Sequence, residues 1–235
     1  MTRGLYQGAA AMRASEKRFE AVAHNLANID TTAYKRQGTA AHSFRVPATG
    51  GAEKKALKTE LTVDWSQGNL DRTENPFDLA LFGEGFFAVD TPRGEAYTRE
   101  GHFQVDAQGV LVTPEGYPVA WEDRYGVIDP AGVPAVVSGD GTVAQGQREV
   151  GRLRLVDFAD RGRLAQNAEG YFEAPPRARR QTATAEVHQG ALERSNAVSL
   201  EEVVAMISIQ RMFEAASNVL SMIDDSYQRL TRNGT

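Results

Sequence analysis

The sequence contains no cysteine among its 235 residues. Disulfide frameworks and thiolate chemistry are excluded at once. Any life outside the cytoplasm would rest on packing or assembly instead. No apolar run approaches the roughly 20 residues that a membrane-spanning helix needs. The N-terminal stretch also fails as a secretory signal, because Glu16, Lys17, Arg18 and Glu20 interrupt the place of its apolar region. A basic surplus is missing as well. The formal net charge is −5, which argues against a nucleic-acid binder. Arg177–Arg180 is a short basic cluster beside a Pro-Pro pair and does not reverse that reading. Taken alone, these absences describe a cytoplasmic chain without membrane insertion.

Catalytic signatures are equally scarce. Histidine occurs only at His24, His42, His102 and His188, and no two stand at the i, i+4 spacing of a helical metal pair. There is no Gly-x-Ser-x-Gly elbow and no phosphate-cradling Gly-x-x-x-x-Gly-Lys-Ser/Thr loop. Gly83-Glu84-Gly85 lacks a third glycine and precedes a strand, so it reads as a tight turn. Asp78, Glu84 and Glu100 could supply a glycosidase-type pair. Carboxylates that are solvated or shape a turn are far commoner. Trp65, Trp121 and the aromatics around Phe86 suit the core of a small β domain better than a ligand groove. The reading is non-enzymatic, with no cofactor and no metal site.

What is present is a change of periodicity along the chain. From about Leu5 to Asn28 the pattern is helical, alanine-rich and free of proline. Leu5, Met12, Phe19 and Leu26 recur every seven residues. The C-terminal segment repeats the signal. Ser199-Leu200-Glu201-Glu202 has the form of a capping box. Met206, Phe213, Leu220 and Tyr227 follow at heptad spacing, with Ile209, Ala216, Ile223 and Leu230 in the companion positions. Glu201, Glu202, Arg211, Glu214 and Asp224 lie off this seam and are expected in solvent.

Between the helices the period falls to two. Phe86–Val89, Ala96–Thr98, His102–Val105, Val110–Val112 and Tyr117–Trp121 read as short strands separated by glycine and proline turns. Thr142–Ala144, Gly151–Asp157 and Gly170–Glu173 are further candidates. The predicted fold is α+β. Its N- and C-terminal helices pack as a coiled-coil-like pair, with a central antiparallel β-rich domain. The expected boundaries are an N-terminal helix and turn over 1–37, an extended arm over 38–74, the β domain over 75–175, a connecting arm over 176–195 and a C-terminal helix over 196–235.

Three collinear regions carry a resemblance. His24-Asn25-Leu26-Ala27-Asn28-Ile29-Asp30-Thr31-Thr32-Ala33-Tyr34-Lys35-Arg36 resembles the N-terminal signature of the flagellar basal-body rod and hook proteins. It departs at Ala33, where that family usually has glycine, and alanine disfavours the positive φ that glycine permits. Asn75 to Phe87, continued by Tyr97 to Phe103 and Asp106 to Gly109, resembles the start of the family's β domain. Ser195 to Val198, with Glu201 to Val204 and Ile209 to Glu214, resembles its C-terminal helix. The length matches a short rod type, and the passage from Ser138 to Val156 is closer to the proximal than to the distal rod.

The resemblance implies a structural rod subunit that assembles helically through its terminal helices and transmits torque. Its partners would be other copies of itself, neighbouring rod proteins and the flagellar type III export apparatus. The chain would leave the cell's interior without a cleaved signal and lie in the basal-body rod crossing the periplasm. The implied assembly interface comprises Leu5, Met12, Phe19, Leu26, Met206, Ile209, Phe213, Leu220, Ile223, Tyr227 and Leu230. Asn25, Asn28, Thr31, Thr32, Tyr34, Lys35 and Arg36 would form the signature turn. The alternative from another class is a soluble β-domain binding module with a helical dimerisation stalk.

Overall fold

The computed structural model describes residues 2–47, 53–167 and 169–232. Two compact units emerge, one holding both helices and a hairpin, the other residues 30–35 with 65–196.

In the helical unit, α1 (Thr2–Ala27) is followed by β1 (Gln37–Pro47) and β2 (Glu53–Val63), and α2 (Ser199–Arg232) closes the chain. Asn28, just past the end of α1, caps the His24 carbonyl with its side chain, whose amide donates to that oxygen at 2.8 Å. Its backbone N–H donates to the same oxygen at 3.1 Å. The segment read from sequence as an arm runs as an antiparallel ribbon, in register from Gln37 opposite Val63 to Pro47 opposite Glu53. A two-stranded ribbon is marginal alone, and this one packs against α1.

The expected fold class needs correction. Among the described residues there are eighteen strands and only two α-helices, so the chain is mainly β rather than an even α+β mixture. The coiled-coil-like pairing also fails. α1 and α2 are neighbours, but the described heptad residues do not form a buried seam. Phe19 is 40% exposed and Phe213 37%, while Met12, Leu26 and Met206 are only half-buried. Of the seam residues whose side chains are described, Ile209 alone is buried. The side chains of Leu5, Leu220, Ile223, Tyr227 and Leu230 lie outside the described residues.

α1 instead buries Ser15, Ala21, Val22 and Asn25, a face about a quarter turn from the predicted seam. The cause is local. The Asn25 carboxamide accepts from the Gln37 N–H at 2.7 Å and donates to the Gln37 carbonyl at 2.9 Å. That two-point bond fixes the helix's rotation against the start of β1 and turns Phe19 outward.

The β unit is antiparallel throughout. It opens with β3 (Leu70–Arg72), β4 (Leu79–Phe82), β5 (Phe86–Thr91) and β6 (Gly94–Thr98). β5 and β6 form the middle of a six-stranded sheet with Leu155–Phe158, Arg180–Thr182, Phe172–Glu173 and Ala165–Gln166. A four-stranded sheet holds Ala135–Val137, Thr142–Gln145, Arg148–Leu153 and Trp121–Arg124.

Because side chains alternate along a strand, β5 serves two cores. Phe87 and Val89 join Leu79, Leu81, Phe103, Leu111 and Leu153 on one face. Phe86 and Ala88 join Tyr97, Val156, Phe158 and Phe172 on the other, where the Trp65 ring meets Phe86 at 5.5 Å and Phe172 at 4.9 Å. Residues 151–157, read from sequence as one strand, form two. The chain leaves the four-stranded sheet after Leu153 and enters the six-stranded sheet at Leu155.

Candidate assembly site

The signature segment and the two helices are where an assembly role would reside, and each unit handles its share separately.

In the helical unit, Arg36 begins the chain's path into β1, and its Nε donates to Glu202 Oε1 at 2.5 Å. The Glu202 side chain is wholly buried while Arg36 is about one-third exposed. This hydrogen bond raises the Arg36 pKa above its ordinary value. Glu202 was expected to cap α2 and to sit in solvent. It is instead an inward-facing anchor that ties α2 to residue 36. The Glu202 N–H, which a capping box would give to the Ser199 hydroxyl, donates to the Val198 carbonyl at 3.1 Å, and the Glu202 carboxylate goes to Arg36.

α2 therefore has two faces. Glu202, Met206, Ile209 and Ala216 face inward, buried or half-buried. The opposite side carries Leu200, Val203, Val204 and Ile207, all exposed, with Leu200 at 73%. Their spacing is i, i+3, i+4, i+7, a continuous stripe over two turns. The heptad reading missed this stripe, although the same periodicity was present in the sequence. Large apolar residues left in water along a stripe mark a contact surface. Phe19, Met212 and Phe213 are exposed as well.

In the β unit, residues 30–35 form a tight turn held from within. Ala33 adopts φ +55 despite its side chain, the conformation its sequence argued against. Its N–H donates to the Glu193 carbonyl at 2.7 Å, and the Tyr34 N–H donates to Thr31 at 3.3 Å. Ala33, Tyr34 and Lys35 are all buried. Thr32 donates its hydroxyl to Glu100 Oε2. Burial pushes the Glu100 pKa up, and hydrogen bonds from Thr32 and the His102 N–H only partly offset this.

The centre of this arrangement is Glu193. Its Oε1 accepts from Lys35 Nζ at 2.7 Å and from the Gly68 N–H at 2.8 Å, and its Oε2 accepts from Arg99 Nη1 at 3.1 Å. Lys35 also donates to the Ser66 carbonyl at 2.7 Å, and Arg99 to the Gly83 carbonyl at 2.5 Å. All three side chains are at most 5% exposed. Gly68 must be glycine, because a Cβ there would fall 1.9 Å from the Arg194 carbonyl oxygen. Glu193 and Arg99 were not singled out from sequence. A lone Glu beside an Arg in a polar stretch carries no local signal of burial.

The residues weighed for catalysis have structural partners. Asp78 Oδ1 lies 2.8 Å from His102 Nδ1 and accepts from Asn75 Nδ2 at 2.9 Å. Glu84 pairs with Arg161 at 2.9 Å. Gly83-Glu84-Gly85 links β4 to β5, with Gly83 at φ +105. Among the described residues no helix is long and apolar enough to cross a membrane, and no group of side chains is suited to hold a metal ion.

Comparison with known proteins agrees with this geometry. The flagellar hook protein FlgE/F/G D1 domain matches residues 80–145, and the flagellar basal body rod FlgEFG protein C-terminal matches residues 188–233. The flagellar basal-body rod protein FlgF of Caulobacter vibrioides is 33% identical, over 94% of this chain and 93% of that protein. FlgF of Escherichia coli is 34% identical over 88% of each chain, and the FlgG rod protein of Bacillus subtilis 28% over 98% of each. The chain belongs to the flagellar basal-body rod protein family.

Proposed function

We propose that this protein is a structural subunit of the flagellar basal-body rod, joined to copies of itself and to neighbouring rod proteins through its terminal helices. The observation that carries this reading is the division of labour in α2. One face is spent inside the subunit, and the stripe Leu200, Val203, Val204 and Ile207 remains in water. Fully covering a large apolar side chain contributes roughly 1.5–3 kcal/mol. Four such residues, with Phe19 and Phe213, supply a driving force for association in which every subunit offers the same surface. Repeated contacts between unlike surfaces build an open helical array rather than a closed dimer, and such an array can transmit torque.

No step in this role is catalytic. The family implies the flagellar basal body; a place in the envelope-crossing rod is part of the proposal. Delivery by the flagellar type III export apparatus, without a cleaved signal, is part of the same proposal and fits the lack of cysteine. The chain would travel unfolded and need no oxidative step.

Electron microscopy of basal bodies isolated from cells carrying an epitope in the exposed loop 129–134 tests the assignment. Label is expected on the rod. Label confined to the cytoplasmic fraction, with complete rods present, would overturn it.

A further inference from the structure

We propose that Glu193 is a folding clasp for the signature turn, so that residues 30–35 become ordered only after the distant C-terminal strand Ala191–Glu193 has docked. Lys35 and Glu193 are 158 residues apart in sequence. Glu193 pairs with Leu70 of β3 in a two-stranded sheet that joins the two ends of the β unit's sequence. Thr32 on Glu100 and Lys35 on the Ser66 carbonyl also hold the turn, but neither fixes the backbone at its strained point. Ala33 sits in the left-handed region that costs an L-residue energy, and its internal backbone bond from Tyr34 to Thr31 is long at 3.3 Å.

Residue 193 binds the turn at two points. Its carbonyl takes the Ala33 N–H, and its carboxylate takes the Lys35 ammonium. The Asn196 N–H, three residues on, adds a bond to the Tyr34 carbonyl at 3.4 Å.

The charge balance makes the dependence steep. Two buried cations, Lys35 and Arg99, share one carboxylate. Without that carboxylate, both cations remain buried and repel each other, a strongly unfavourable state. Releasing residues 30–35 to water is then the cheaper outcome. Lys35 is thus committed inside its own subunit and is not a contact for a neighbour. This inference stands apart from the rod assignment, since it concerns the single chain.

Hydrogen exchange on the dilute full-length monomer tests it. In Glu193→Gln, which keeps the shape but not the charge, protection at the Ala33, Tyr34 and Gly68 amides is expected to fall on the order of 100-fold. The amides of Ala88 and Asp90, bonded to Arg154 and Pro118 within the core, are expected to hold their protection. Lys35→Met leaves a neutral Arg99–Glu193 pair, so it keeps the β unit folded even if Glu193→Gln does not. It should lower protection at Ala33 and Tyr34 while sparing Gly68. Unchanged protection at Ala33 and Tyr34 in either folded variant would overturn the proposal. So would equal loss at Ala88 and Ala33 in Lys35→Met, which would make the cluster a general prop of the sheet.

Discussion

At Ala33 a side chain occupies a backbone conformation that glycine adopts freely, and the surrounding bonds to Glu193 hold it there. Ala33→Gly should therefore stabilise the protein by about 0.5–1 kcal/mol, the left-handed penalty less the added freedom of the unfolded glycine. Urea unfolding would measure it as a higher midpoint at unchanged slope. Glu100 gives a pH-dependent counterpart. Its folded pKa lies above the ordinary 4.5 because burial disfavours the carboxylate. A raised folded pKa means that the native state holds the proton more tightly. The stability this proton contributes is complete below the unfolded value and is lost as pH rises through the folded one. Glu100→Gln cannot ionise and still accepts from Thr32. It should match wild type in acid and become the more stable protein as pH rises to neutrality, as thermal melts across that range would show. Neither position's behaviour was legible from sequence, since both depend on neighbours more than 60 residues away.

Among elements, β5 was the most legible, whereas the buried face of α1 was not. Phe86-Phe87-Ala88-Val89 alternates between two cores, and a run of apolar residues bounded by glycines is how a strand buried on both faces reads. Phe87→Ala should cost about 3–5 kcal/mol, visible as a large fall in melting temperature, because that ring is sealed against Phe103 at 5.1 Å. For α1 the heptad pattern identified a helix but misassigned its buried face. A helix in a small unit is oriented by whatever bond is most exacting, and here the Asn25–Gln37 backbone pairing outweighs burial of Phe19. On α2, Ile209 is buried and Met206 half-buried, whereas Phe213 of the same seam is exposed. The charged residue expected in solvent, Glu202, is buried as well, paired with an arginine 166 residues earlier. Pairings at that range leave no local trace in a sequence.

At the scale of the molecule, the signature, the start of the β domain and the C-terminal helix together made the family legible before any coordinates. What they could not convey is how the signature is used. It belongs to both units at once: Asn25 and Arg36 anchor the helical unit, whereas Ala33 and Lys35 are bound within the β unit. Under the proposed function, the exposed stripe Leu200, Val203, Val204 and Ile207 of α2 is the surface through which subunits would join. The most direct test is the double variant Val203→Asp/Ile207→Asp, two exposed positions where a polar residue should change monomer stability by no more than about 0.5 kcal/mol. The measurement is rod formation, by electron microscopy of basal bodies and by motility, alongside the melting temperature of the purified chain. The account predicts a normally folded protein, absent rods and non-motile cells. Normal rods and swimming with both charges in place would contradict it.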